Sequence, residues 1–296
     1  MPDAAPGYAA RRAALADALR RQPSGAAPLG LAKRTSNLFR DRGEGAKRRL
    51  DLSAFDHVLD VDAAHGAVDV EALATYDQLV AATLPHGVMP AVVPQLKTIT
   101  VGGALAGCSL ESMSFKVGGL HDTCVEYEVL TSRGDVLVCT PENENRLVFQ
   151  MIHGSFGTLG VLTKVKLRLV AARPYVRVAY EVHPTLEAYA GAIGREFRAR
   201  SGDFMDGILH APDRHVLSLG RFVAEAPYTN RYDWVKVYWQ STARRVEDYM
   251  QSFDYFFRYD HGVTNVHPRS AIGRFLFGKL LHSGNVLRLA QHFRRV

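Results

Sequence analysis

The stretch TVGGALAGCSLESMSFKVGG, Thr100 to Gly119, is the densest glycine cluster of the chain and lies between two runs that read as strands. Its reading decides the fold. Glycine lets a backbone take positive φ and approach another group closely, so Gly102 and Gly103 suit either a set of tight turns or a phosphate cradle. In a cradle, successive amides point inward as an anion nest, and Ser109, Ser112 and Ser114 add hydroxyl donors. The glycines alone leave both readings open.

Around the cluster the pattern is α+β. His57–Asp62 and Ala67–Glu71 alternate and flank an Ala-Ala-His-Gly turn, which predicts a hairpin. Thr75 reads as an N-cap for a helix carrying Tyr76, Leu79, Val80 and Leu84, ended by Pro85. Gly87–Pro94, with two prolines, must be extended or looped. Val125–Leu130 and Val136–Thr140 flank a Ser-Arg-Gly-Asp turn and form a second hairpin. Arg146–Ile152 reads as a short helix and Gly154–Gly160 as a further glycine-rich connection. Val161–Val170 alternates as a half-buried strand, with Lys164, Lys166 and Arg168 on one face. Ala171–Pro174 marks a boundary. Beyond it we expect strands at Tyr175–Val182 and Val216–Phe222 and helices near Leu186–Arg200 and Thr242–Tyr259. Strands and helices mix without regular βαβ units.

Composition narrows the class. The 296 residues are 47% hydrophobic and 22% charged, as in a folded domain or two. No apolar run approaches the roughly 18–20 residues of a membrane span. The N-terminus has no continuous apolar core of a secretory signal and reads as an Ala/Arg-rich helix. Cys108, Cys124 and Cys139 make neither a disulfide framework nor a CxxC pair, which fits a cytoplasmic setting. The net charge is +6, and no Asp or Glu follows Asp260. That basic end suits a solvated face or an anionic surface. No nucleic-acid module is evident, and no metal-ligand spacing appears.

Several chemistries are excluded by motif. The cluster is Gly-Gly-x3-Gly, not GxGxxG, and no GxxxxGK[ST] or HExxH occurs. Gly154-Ser155-Phe156-Gly157 misses the GxSxG nucleophile elbow by one position. Lys33–Phe39, KRTSNLF, adds a third small polar loop, with Thr35, Ser36 and Asn37 able to cap or to hold an anion. Three such loops in one α+β unit suit a long dinucleotide with a pyrophosphate.

The order KRTSNLF, TYDQLVAATLPHGVMPAVVPQLKTITVGGALAG, ESMSFKVGGLHD, VLTSRGDVLVCTPEN and SFGTLGVLTKVKLRL resembles the FAD-binding domain of the vanillyl-alcohol-oxidase/PCMH flavoproteins. Within that superfamily it is most similar to the Δ24-sterol reductase-like branch. The resemblance runs from about Leu31 to Val170 and weakens beyond. It implies a PCMH-type domain of two α+β subdomains over 31–172, a helical extension over 1–30 and a cap over 173–296. It further implies non-covalent FAD. Thr35, Ser36 and Asn37 match the first pyrophosphate loop, and Thr100, Gly102 and Gly103 the second. Gly107, Glu111, Ser112, Ser114 and Phe115, then Gly118 and Gly119, match the segment along the ribityl chain and ring. Gly157, Thr158, Gly160 and Val161 match a further flavin contact. In some members a His or Cys attaches the flavin covalently, and Cys108 and His121 are the nearby candidates in this chain.

The resemblance also implies a chemistry. NADPH would reduce FAD, and the reduced flavin would pass hydride from N5 to an alkene carbon of a lipid while an acid protonates its neighbour. His267, Tyr259 and His121 are the acid candidates, and Arg269 is a candidate for an anionic group. The aromatic run Tyr249–Tyr259 suits an apolar substrate or ordinary core. The basic stretch Ile272–Val296 suits peripheral membrane contact or a packed amphipathic helix. Two departures stand out. Residues 1–30 show no convincing strand before the first phosphate loop, and the family's cap continues past the point matching Val296. An alcohol or polyprenyl-phospho-sugar oxidase, and a catalytically incomplete flavin-binding protein, are the alternatives.

Overall fold

The computed structural model describes residues 4–21, 29–32, 48–233, 236–262 and 272–273. Its spine is β8 (Val161–Ala171), the longest strand among the described residues. Thr163, Val165, Leu167 and Leu169 point into the core, and Lys164, Lys166 and Arg168 point away, as the alternation requires. The second face is held by charge: Lys164 Nζ lies 3.3 Å from Glu128 and 3.5 Å from Glu126, and Lys166 Nζ lies 3.6 Å from Asp69.

The hairpin strands β3 (Val58–Asp62) and β4 (Ala67–Glu71) flank one side of β8. On the other side lie β6 (Cys124–Leu130) and β7 (Val136–Cys139). β5 (Val88–Pro90) pairs with the end of β8, completing a six-stranded antiparallel sheet. The turn of the second hairpin places Gly134 at φ 82°. Thr75 caps α2 (Tyr76–Thr83), its amide donating to Gln78 Oε1 at 2.8 Å. Pro85 opens a single 3-10 turn, and Gly87 at φ 70° closes it. α5 spans Arg146–Ile152, and Phe149 stacks on buried Tyr127 at 4.5 Å.

The N-terminal segment is more than an extension. Tyr8, Leu15, Ala16 and Leu19 of α1 (Ala4–Arg20) share a buried cluster with Leu50, Leu52, Phe55 and Leu130. The Tyr8 hydroxyl donates to Glu128, and Arg11 and Arg12 pair with Glu71 and Glu128. A strand does begin within the first 30 residues: β1 (Leu29–Ala32) pairs parallel with β2 (Arg48–Asp51). It is too short and glycine-broken to show a period.

Beyond Ala172–Pro174 a second antiparallel sheet forms from β9 (Tyr175–His183), β10 (Phe204–Ala211), β11 (Arg214–Val223) and β12 (Glu247–Gln251), in the order β10-β11-β9-β12. α6 (Leu186–Ala199) covers it, capped by Thr185. The helix expected over Thr242–Tyr259 is absent. α7 (Tyr238–Thr242), strand β12 and α8 (Ser252–Phe256) stand in its place. β12 is recruited by β9, and pairing buries Asp248 and Met250 on alternate positions. One apolar cluster joins both sheets, running from Val68 and Tyr127 to Val176, Phe204 and Phe256. Each fully buried Val, Leu or Phe in it contributes about 1.5–3 kcal/mol.

Candidate functional site

The glycine cluster folds as a short helix, α3 (Val101–Ala106), capped by Thr100, whose hydroxyl accepts from the Gly103 amide at 3.3 Å. This corrects the nest expectation. The Val101 and Gly102 amides donate to Ala74 and Ala72 carbonyls at 2.9 and 2.8 Å, so neither is open to an anion. Neither Gly102 nor Gly103 takes positive φ. Gly102 is glycine because a Cβ would sit 2.8 Å from Ala72 Cβ. Its role is close packing of α3 on the end of β4.

The end of α3 is where loops meet. Gly107 closes the helix, and Cys108 follows at φ 55°. Phe156, at φ 50°, donates its amide to Ala106 at 3.1 Å, which brings 154–160 onto this turn. A Cβ on Gly154 would lie 3.3 Å from Cys108 Sγ. The Leu120 amide donates to Ser109 at 3.0 Å and closes the loop 109–120 on itself. Two non-glycine residues held in the left-handed region at one junction are a strain characteristic of functional sites.

Within that loop, Ser114 opens the one-turn helix α4 (Ser114–Val117), and its Oγ accepts from the Glu111 amide at 2.9 Å. Gly118 takes φ 82°, and the Gly119 amide donates to Asp122 at 2.7 Å. Phe115 is half-buried with Lys116 Nζ above its ring. The Ser112 carbonyl accepts from the Met205 amide at 2.8 Å, and Lys116 pairs with Asp203 at 3.4 Å, tying the loop to β10. His121 stacks on His153 with centroids 4.4 Å apart, and the Nδ1 atoms of both are buried without a partner.

In the 154–160 loop, Gly157 takes φ 79°, and a Cβ there would meet nothing within 4 Å. The Thr158 hydroxyl donates to Ser155 at 2.8 Å. Gly160 backs onto Val129, and Val161 then starts β8 against Leu130. Leu110, Phe156 and Leu159 lie exposed on the converging loops. Open glycine backbone, exposed apolar side chains and orphaned imidazole nitrogens together fit a flat aromatic group with polar edges.

A buried charge cluster borders the loop. Arg258 is 2% exposed, pairs with Asp206, donates to the Tyr255 carbonyl at 2.7 Å, and lies 4.0, 5.0 and 5.1 Å from the rings of Tyr255, Tyr259 and Tyr238. Burial, with Asp206 adding, pushes the Glu111 carboxyl up to about 8, while Arg258 opposes the shift. Sequence reading missed Arg258 and Asp206. The available signal was a lone arginine inside an aromatic run.

Of the acid candidates, His121 sits at the converging loops, and Tyr259 packs on Arg258 some distance along the chain from them. Thr35, Ser36, Asn37, His267 and Arg269 lie outside the described residues. Among the described residues, Asp56, His57 and Glu71 hold possible metal-ligand atoms within 4.8 Å, but Arg11 already occupies Glu71. No described helix is long and apolar enough to cross a membrane.

Residues 12–140 match the family described as FAD binding domain. The chain is 31% identical over 195 residues to the human Delta(24)-sterol reductase, covering 66% of this chain and 38% of that protein. The pea Delta(24)-sterol reductase is 32% identical over 186 residues, covering 60% and 33%. Rice cytokinin dehydrogenase 10 is 30% identical over 185 residues, covering 61% and 32%. The chain thus spans about a third of the length of these relatives. Residues 12–140, an α+β region whose glycine loops converge, are thus similar to FAD binding domains.

Proposed function

We propose that this chain acts as an FAD-dependent oxidoreductase that reduces a carbon–carbon double bond in a lipid, such as a sterol side chain or an unsaturated fatty acyl group, with NADPH as electron donor. The observation that carries the reading is the 31% identity, over 195 residues, to a protein named Delta(24)-sterol reductase. When bound, FAD supplies the two-electron chemistry, and the protein orients and insulates it.

Thr35, Ser36, Asn37, Thr100 and Gly103 hold the pyrophosphate in this reading. Gly107, Glu111, Ser112, Ser114, Phe115, Gly118 and Gly119 line the ribityl chain and ring, with Gly157, Thr158, Gly160 and Val161 closing the other side. Leu110, Phe156 and Leu159 exclude water from the ring. Gly102 supports the site by seating α3 on Ala72. Tyr259, whose phenol burial raises above its ordinary range, is one proton donor to test. His121 and His267 are the other proton donors to test. Arg269 offers a charge to an anionic group on substrate or nicotinamide cofactor. A cytoplasmic protein with peripheral membrane contact through 272–296 belongs to the same reading.

A second reading, oxidation of an alcohol or a polyprenyl-phospho-sugar, draws on the likeness to cytokinin dehydrogenase 10. Anaerobic mixing of the flavin-loaded protein with NADPH separates the two. Bleaching of the flavin band supports the reductase, and an unchanged band in the presence of NADPH favours the dehydrogenase.

A further inference from the structure

The second sheet is joined to the loop 109–120 by a closed ring of contacts. The Ser112 carbonyl accepts from the Met205 amide at 2.8 Å, and the Ser112 side chain hydrogen-bonds the Tyr255 hydroxyl. The Arg258 guanidinium carbon lies 4.0 Å from the centroid of the Tyr255 ring. Arg258 pairs in turn with Asp206, the residue after Met205 on β10, which closes the ring. Gly220 of β11 leaves room for it, since a Cβ there would lie 3.1 Å from the Tyr255 hydroxyl.

The loop depends on this support. Among the described residues, the backbone–backbone hydrogen bonds of Leu110–Gly119 stay within that segment, save the one from Met205. Met113 packs into the core, while Leu110 stands exposed. The other tie, Lys116 to Asp203 at 3.4 Å, also runs to the second sheet. A ligand that had to order such a segment on binding would lose affinity to the ordering, so a loop held in place beforehand binds more tightly.

Stability alone is a poor account of the cation. A buried ion pair loses much of its attraction to desolvation, and an apolar side chain of similar volume often stabilises as well or better. This pair is not even fully satisfied: Arg258 Nε and Asp206 Oδ1 are buried without a partner. What the guanidinium supplies is orientation. Its planar fork reaches Asp206 and the Tyr255 carbonyl together while its face lies against the Tyr255 ring. That arrangement fixes where the Tyr255 hydroxyl sits, and with it Ser112.

We propose that Arg258 is a positioning residue for the flavin, acting through Tyr255 and Asp206 to hold Ser112 and its loop in the shape that receives the cofactor. The second sheet is then part of the cofactor site. The inference rests on the assignment of the loop 109–120 to FAD, and on the ring of contacts for the role of Arg258.

The test is titration with FAD, followed by flavin fluorescence and by the visible band of the bound flavin, well below the melting range. Three variants are compared with the native protein. Arg258→Lys keeps the charge and loses the fork and the stack. Tyr255→Phe loses the hydroxyl that reaches Ser112. Val216→Ala is the control: Val216 is buried in the same sheet, paired with Ile208, and lies outside the ring of contacts. Arg258→Lys is expected to weaken FAD binding by roughly 5- to 30-fold and to blur the shoulders of the visible band, and Tyr255→Phe to do the same more weakly. Val216→Ala should lower the melting temperature yet keep the affinity within about 2-fold and the native band shape. Native affinity in a folded Arg258→Lys protein overturns the role of Arg258 and leaves the FAD reading standing. Equal losses in Val216→Ala overturn it too, since general destabilisation would then suffice. If Arg258→Lys does not fold, Tyr255→Phe decides, and native affinity there overturns the proposal. A native protein that takes up no FAD overturns the loop assignment and this role together.

Discussion

The imidazole of His121 lies flat against that of His153, with centroids 4.4 Å apart and planes within 13°. This contact clamps the loop that follows α3 to the loop that precedes β8. Neither ring has a partner for its buried Nδ1. The clamp is thus a place where two glycine loops are held in register beside unsatisfied polar atoms, which is what a bound ligand with polar edges requires.

Acid should open this clamp. Burial, and then the neighbouring His121, push the His153 imidazole below its ordinary value. The folded state therefore favours the neutral ring, and the unfolded chain binds more protons below pH about 6.5. Stability contributed here is present above that value and falls as the pH drops. Flavin retention after gel filtration should decline from pH 7.5 to 5.5 in the native protein. His153→Phe, which keeps the stack and removes the titration, should flatten that decline. An equal decline in the variant assigns the acid sensitivity to another group.

Glu111 should behave in the opposite sense. Its carboxyl is pushed up to about 8, so the folded state holds a proton that the unfolded chain releases near pH 4.5. Stability falls as the pH rises between those two values. Glu111→Gln is expected to raise the melting temperature, with a larger gain at pH 9 than at pH 5. A gain independent of pH would show that the carboxyl does not titrate in this window.

The two glycine roles should separate by substitution. Gly102→Ala drives a methyl group against Ala72 and should cost about 2 kcal/mol of stability. Gly157→Ala meets no atom, and only its φ of 79° penalises it, by roughly 1 kcal/mol. Gly157→Ala should nevertheless lose more flavin affinity than stability, because the added methyl enters the space in front of the loop. Thermal melts of apo-protein and flavin titrations of both variants check this.

The Arg258 cage should not tolerate removal of its cation. Arg258→Met leaves Asp206 without its ion pair, an effect of about 3–5 kcal/mol for buried pairs. Arg258→Lys keeps the charge but loses the planar stack on Tyr255, and should recover less than half of the loss. Denaturant midpoints measure both. Full recovery by lysine would show that stacking contributes little.

The first sheet could be read from the sequence because its strands alternate and both hairpin turns carry a glycine at positive φ, Gly66 and Gly134. β8 is the clearest case, with Thr163, Val165 and Leu167 inward and Lys164, Lys166 and Arg168 outward. The misreading of Thr242–Tyr259 has a different origin. Its aromatics recur at helical spacing, yet the neighbouring edge of β9 recruits Glu247–Gln251 into a strand, and no local signal encodes that partner. The glycines of α3 were legible as necessary but not in purpose. Whether a glycine faces a ligand or Ala72 depends on what packs opposite. Arg258 was hidden for the same reason, since the aspartate that stabilises it lies 52 residues away.

Flavin loading is the most direct measurement. Purified protein, incubated with FAD and freed of excess by gel filtration, is expected to be yellow, with a visible band near that of free FAD. Gly103→Glu, which sets a negative charge beside the Thr100 cap, is expected to be folded and colourless. A native protein that remains colourless after incubation, or a Gly103→Glu protein that loads as well as the native one, would contradict the assignment of these loops to FAD.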